Sequence, residues 1–158
     1  MKVSLLDRKE IVYEGKITLL KSKDLRNLMN WNFDWVKLNS ANSEIYKLTL
    51  NEKILGLVKH EWQNENHFRI ANIEISPSNI GSKGNFKNAA ELLFAYSALM
   101  SFKYNKGAYN GFLAFKSKGR LIKHYEKKYN AELVFRENMI ISPKNCKTLI
   151  KNHLKIEI

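Results

Sequence analysis

The chain is short of the residues that cross-link or stiffen small proteins. Of its 158 residues, one is cysteine (Cys146) and two are proline. A lone cysteine excludes an internal disulfide framework. The fold must therefore rest on a buried core, which a chain of this length can supply. No apolar run reaches the ~20 residues that span a bilayer as a helix. The first residues, Met1-Lys2-Val3-Ser4-Leu5-Leu6-Asp7, meet charge too early for the apolar stretch of a signal peptide. Together these features predict a cytoplasmic protein with no membrane partner. The four histidines, His60, His67, His124 and His153, have neither ligand spacing nor a cysteine cluster, so no metal is expected. His60-Glu61 lacks the second histidine of a metalloprotease helix, and Gly81-Ser82-Lys83-Gly84 is not a P-loop.

Acid is scarce as well. Fifteen Asp and Glu stand against 27 Lys and Arg, for a net charge of +12. Such a surplus raises the local concentration of anions. It is compatible with nucleic acid, an anionic membrane surface or a polyphosphate ligand, while lysines spread along most of a chain also form an ordinary solvated surface. Hydrophobic content of 44% with 27% charged residues is that of a globular domain. No repeat and no linker divides the chain, which predicts one domain over residues 1–158.

Residues 16–20 alternate weakly and suggest a strand. Residues 23–35 place Leu25, Leu28, Met29 and Phe33 at helical spacing, with Ser22 as a candidate cap and Trp31 and Trp35 closing onto the core. Three strand-like runs follow, over residues 44–50, 54–62 and 67–75. In the last of them the apolar phase slips, from Phe68 and Ile70 to Ala71, Ile73 and Ile75, which suggests a β-bulge or a simple register ambiguity. Residues 88–103 carry Ala89, Leu92, Leu93, Tyr96 and Met100 on one face and apolar residues on the others, predicting a helix covered nearly all round. Residues 109–115 form a short strand. Two strands joined through a long helix imply a parallel pair. A second helix over 119–129, a hairpin over 133–141 and a last helix over 143–154, with Pro143 at its first position, complete the chain. The fold class is α/β (α+β): one mixed, mostly antiparallel sheet with a single parallel crossover and helices on both faces. Cys146 lies on an apolar stripe and reads as core rather than nucleophile.

The segment between the third strand run and the long helix is polar and carries Gly81 and Gly84. A loop of small polar residues feeding a helix N-terminus offers free N–H groups and the positive end of the helix dipole at one spot. A phosphate-bearing cofactor is the first ligand this arrangement predicts.

The order of parts over residues 44–142 resembles the GNAT superfamily, the acetyl-CoA-dependent N-acyltransferases. The family pyrophosphate loop, Arg/Gln-x-x-Gly-x-Gly/Ala, is matched in register by Asn85-Phe86-Lys87-Asn88-Ala89-Ala90. Ala90 fits the last small position, while Asn85 and Asn88 replace the usual Arg/Gln and Gly. Ile75-Ser76-Pro77 resembles the strand-end Val-x-Pro, and His124-Tyr125-Glu126-Lys127 resembles the Tyr-Glu-Lys of the later helix. Seven residues before that tyrosine, where the family often has Asn, this chain has Lys118.

The resemblance implies a roster of roles. N–H groups around Asn85, Phe86, Lys87, Asn88, Ala89 and Ala90 would cradle a pyrophosphate, with Lys83, Lys87, Lys118 and Arg120 adding charge. The pantetheine arm of acetyl-CoA would lie along Ile73, Ile75 and Ser76. Tyr125 would protonate a leaving thiolate, since a thiol has a pKa of about 8.5 and a tyrosine about 10; its spacing from Leu121 and Ile122 also fits a core aromatic. Glu74 would be the base, or else a strand-face charge in an ion pair, with Glu61 and His60 as weaker alternatives. The implied activity is N-acetyl transfer to an amine, whether small molecule, protein or aminoacyl-tRNA. The competing readings are an RNA-binding domain using the basic face over 116–128, and an acyl-CoA-binding protein without catalysis.

Overall fold

A computed structural model describes residues 1–158. Eight strands form one sheet: β1 (Lys2–Leu6), β2 (Val12–Leu19), β3 (Ser43–Leu50), β4 (Lys53–Asn64), β5 (His67–Ile75), β6 (Leu113–Lys116), β7 (Glu132–Phe135) and β8 (Asn138–Ile141). Their order is β1-β2-β3-β4-β5-β6-β8-β7. The β1–β2, β2–β3, β6–β8 and β7–β8 ladders are antiparallel, and β5–β6 is parallel. This is the mixed sheet with one parallel crossover that the sequence predicts. The chain divides into two compact units, one of residues 1–59 and 72–93, the other of residues 60–71 and 94–158.

In the first unit the expected helix over residues 23–35 is absent. Its place is taken by a 3₁₀ turn, Ser22–Asn27, and by α1 (Trp35–Leu38), with irregular chain between them. Asn27, Asn30, Asn32 and Asp34 punctuate this stretch, and such side chains compete with the helical backbone for hydrogen bonds. Asp34 caps α1, accepting from the Lys37 N–H at 3.3 Å. Ser22 caps nothing: the Asp24 carboxylate accepts from Lys21 N–H at 2.8 Å and from the Lys47 ammonium at 2.7 Å. Burial opposes ionisation of Asp24, but Lys47 and the Lys21 N–H outweigh it and hold the carboxyl below its ordinary range. The apolar residues of the misread helix still turn inward. Leu28 and Trp35 bury against Ile45 of β3 and Leu57 of β4, with Leu25, Trp31 and Phe33 at the margin. Gly56 faces the opposite side of β4, where a Cβ would lie 2.8 Å from Leu93. Leu93 therefore packs so closely there that a side chain at position 56 would have to displace its methyl group.

The N-terminal residues build more than the weak strand expected at 16–20. β1 and β2 form a full hairpin, pairing Lys2 with Lys16 through Leu6 with Val12. On β5, Phe68 stacks on His60, Ile75 turns to Gly56 and Glu74 turns to Trp35. Gly56 and His60 share parity on β4 whereas Phe68 and Ile75 do not on β5, so the strand slips its phase between them, as a β-bulge does.

α2 (Ala89–Tyr104) begins in the first unit and runs on in the second from Phe94, and its residues Phe94 to Ala98 are all buried. The parallel ladder is two pairs long, Arg69 with Ala114 and Ile70 with Phe115. α3 (Ile122–Tyr129) ends at Asn130 in the left-handed conformation, φ 51°. α4 (Pro143–Leu149) starts with Pro143 at N1 and Ser142 as its cap, and runs on as a π-helical turn over Ile150–Leu154. Cys146 on α4 is fully buried and donates to the Ile141 carbonyl at 3.6 Å, and burial pushes its thiol up to about 12. A thiol so held stays protonated at neutral pH and is no nucleophile. No helix is long and apolar enough to cross a membrane.

Candidate functional site

In the first unit the loop from Ser76 to Asn88 is built around Asn79, which is 5% exposed. Its side chain accepts from the Phe86 N–H at 2.8 Å and donates to the Phe86 carbonyl at 3.2 Å, closing the loop on itself. Gly84 passes so close to this turn that a Cβ would lie 2.3 Å from the Asn79 carbonyl oxygen. Arg8 secures the outside, donating from Nε to the Gly84 carbonyl at 2.8 Å and from Nη2 to the Gly81 carbonyl.

The loop is also sewn to β1. The Lys87 N–H donates to the Leu6 carbonyl at 3.0 Å. Asn88 accepts from Leu6 N–H at 2.9 Å and donates to the Ser4 carbonyl at 2.9 Å. Asp7 and Phe86 form an isolated bridge, and the Lys87 ammonium pairs with Glu10. These contacts narrow the cradle expected over residues 85–90. The N–H groups of Phe86 and Lys87 are engaged within the protein and are not open to a diphosphate. Asn88 supplies no cap to α2 because both ends of its amide face β1. The N–H groups of Ala89 and Ala90 belong to the first helical turn, where no intrahelical partner exists. Lys83 and Asn85 are exposed on the loop. Glu91, buried in the same first turn, sets a carboxyl beside the dipole's positive end.

Glu74 is 7% exposed and points at residues 32–35. Oε2 accepts from Asn32 N–H at 2.7 Å, while Oε1 accepts from Phe33 N–H at 3.0 Å and from the Trp35 indole N–H at 3.0 Å. With three donors on two oxygens, the carboxylate is a fixed anchor, and the role of general base expected for it does not fit this geometry. Its neighbours on the strand, Ile73 and Ile75, are half-buried, and the Ser76 N–H donates to the Leu55 carbonyl at 2.9 Å. The Ser76 amide is therefore engaged within the protein and is not open to a pantetheine arm.

In the second unit Tyr125 lies on α3 among aromatic rings: Phe115 at 5.1 Å, Phe94 at 5.7 Å and Tyr129 at 6.0 Å between centroids. Burial raises its pKa above the ordinary tyrosine value. The spacing that fits a core aromatic and the residue type that fits an acid thus coincide in one half-buried side chain. Lys118 and Arg120 are exposed just before α3. The preceding Ser117 holds this segment to the β7–β8 turn by its N–H to the Glu137 carbonyl, 2.8 Å.

The weaker alternatives for a base fare no better. His60 is 3% exposed, stacks on Phe68 and Tyr96, and hydrogen-bonds Ser97 Oγ through Nε2 at 2.8 Å. Burial drives its pKa down to about 3, so it does not cycle a proton near neutrality. Glu61 pairs with Arg69 at 3.4 Å. A polar cleft of about 760 Å³ in the first unit, lined by Lys16, Lys23, Arg26 and the Asp24–Lys47 pair, contains none of the expected donor-site residues. No group of three or more His, Cys, Asp or Glu converges as a metal site. Sequence reasoning missed Arg8, Asn79 and the stitching role of Asn88, because one arginine and two asparagines in polar segments carry no pattern.

No protein-family model and no curated protein matches the chain. Solved structures do. The KacTA–DNA complex matches with a TM-score of 0.61 and 12% identity, over 87% of this chain and 99% of that one. A GNAT family acetyltransferase from Elizabethkingia anophelis with acetyl-CoA bound matches with a TM-score of 0.50 and 13% identity, over 80% and 94%. An acetyltransferase from Bacillus subtilis in complex with CoA matches with a TM-score of 0.51 and 14% identity, over 80% and 95%. With its mixed sheet, single parallel crossover and central helix, the chain has the fold of the GNAT acetyltransferases.

Proposed function

We propose that the protein is an N-acetyltransferase that takes its acetyl group from acetyl-CoA and passes it to an amine by direct attack. The observation that carries this reading is the start of α2. Its N-terminal Asn88 faces β1 instead of capping the helix, so the amides of Ala89 and Ala90 are left for an outside acceptor. An anionic diphosphate suits that position, and Lys83 adds an exposed charge on the same loop. The acetyl thioester supplies the activated acyl group. Ile73 and Ile75 present strand backbone to the amide arm of the donor. Tyr125, kept protonated by burial, is the acid for the departing thiolate. Lys118 and Arg120 add positive charge for the donor's phosphates. The matches to an acetyl-CoA-bound and a CoA-bound acetyltransferase support this choice of donor.

The test is a thermal melt with acetyl-CoA. At a hundred times its Kd the ligand adds about 2.7 kcal/mol of stability, a rise in Tm of roughly 5–10 °C for a chain of this size. An unmoved Tm at millimolar acetyl-CoA refutes the donor assignment. Tyr125→Phe is expected to keep that rise and to lower turnover by about 10²-fold or more on whichever amine proves active. Equal turnover in the variant removes Tyr125 from the chemistry.

A further inference from the structure

The polar cleft of the first unit stands apart from the donor-site residues and has its own construction. Its floor is sheet. Lys16 pairs with Thr49 and Thr18 with Lys47 across β2 and β3, and positions two apart on a strand share a face, so these four side chains stand together. The turn Ser22–Asn27 adds Lys23 and Arg26. Positive charge is in excess here. Glu14 is held by Lys2 at 3.2 Å, and Asp24 by Lys47 at 2.7 Å. Glu52 then stands alone against Lys16, Lys23 and Arg26, none of which is in an ion pair. Lys47 is the least exposed of the four cations, with 14% of its side chain open. An ammonium carries three N–H donors, and within the protein this one meets a single acceptor, the Asp24 carboxylate. Arg26 donates from Nε to the Lys23 carbonyl at 3.2 Å, which leaves both terminal nitrogens of its guanidinium uncommitted.

We propose that this cleft binds a small phosphorylated anion, with Lys47 beneath its oxygens and Lys16, Lys23 and Arg26 around them. Number favours a phosphate over a carboxylate. A phosphate group offers three acceptor oxygens and more than one charge, which suits four cations on three separate elements. The planar fork of Arg26 matches two of those oxygens at once. Every residue lining the cleft is polar or charged, so an apolar ligand finds nothing to bury against. A volume of about 760 Å³ is that of a small-molecule site. The site does not depend on the acetyl-transfer reading, because it shares no residue with the donor site.

Titration of ¹⁵N-labelled protein with inorganic pyrophosphate tests it, in about 0.1 M salt so that distant surface charges are screened. Amide shifts at Lys16, Thr18, Lys23, Arg26, Lys47 and Thr49 are expected to move together and to saturate with a Kd below about 1 mM. Shifts at Ala89 and Ala90 report the donor site separately in the same spectra. Lys16→Glu and Arg26→Glu, both at exposed positions, should each weaken the cleft response by about tenfold or more and leave the melting rise with acetyl-CoA unchanged. Lys47→Met should abolish the cleft response, and the two exposed variants decide the matter where loss of the Asp24 partner unfolds that one. Cleft shifts that never saturate overturn the proposal, as do shifts confined to Ala89 and Ala90. So does a cleft response that Lys16→Glu and Arg26→Glu leave at the wild-type Kd.

Discussion

The protein is expected to lose stability steeply as pH falls from about 6.5 toward 3, and His60 is the main cause. In the folded chain its imidazole is 3% exposed, packed between Phe68 and Tyr96, with a pKa lowered to about 3 by burial. In the unfolded chain it titrates near 6.5. Between those values the unfolded state binds a proton that the folded state refuses, so stability drops with pH at about 1.4 kcal/mol per unit. The contribution is complete above pH 6.5, is down by about 2 kcal/mol at pH 5, and reaches a loss of roughly 4 kcal/mol by pH 3. That is a large part of the 5–15 kcal/mol that holds a typical domain. Urea titrations at pH 7, 6, 5 and 4 measure it. His60→Gln keeps a hydrogen-bonding group where Nε2 meets Ser97 but has no proton to gain. It should start lower at pH 7 and show a shallower acid slope. An identical slope in the variant would assign the acid sensitivity to other groups.

What the sequence disclosed follows from how each feature is encoded. α2 and the strand pair around it were legible because their signal is apolar periodicity over many residues. α3 and α4 were legible from their punctuation, Asn130 and Ser142-Pro143. The 23–35 segment misled because Leu25, Leu28, Trp31 and Trp35 bury as a helix face would, while the backbone between them is held by Asp24, Asp34 and Glu74. Periodicity reports which side chains go inside and not how the chain travels between them. β5 was legible as a phase slip, since Phe68 and Ile75 turn to one face although seven residues separate them. The candidate site was legible in its place along the chain, at the loop feeding α2, and not in its atoms. Which amides Asn79, Asn88 and Leu6 consume depends on pairings across as many as 82 residues of sequence. No local pattern encodes such pairings, and they decide which N–H groups remain for a ligand.

Glu74 gives the second large effect, and its sign separates an anchor from a base. Replacement by alanine leaves three donors, Asn32 N–H, Phe33 N–H and the Trp35 indole, buried or half-buried without an acceptor. At about 1–3 kcal/mol for each unpaired group, partly relieved where water reaches Asn32, the expected loss is roughly 3–5 kcal/mol. Glu74→Gln should cost less, about 1–2 kcal/mol. Its carbonyl oxygen can take the place of Oε1 and keep two donors, while its amino group faces the Asn32 N–H. Amide exchange at Asn32 and Phe33 is the local readout, with protection strong in the wild type, partial in the glutamine variant and absent in the alanine variant. A catalytic base would behave otherwise. Glutamine would then abolish turnover while leaving unfolding midpoint and amide protection at wild-type values. The hydrogen bonds predict the reverse order, with stability and the 32–35 segment failing first and any loss of activity following them. The loss should be largest where Trp35, 1% exposed in the core of its unit, is released from the carboxylate that fixes its ring.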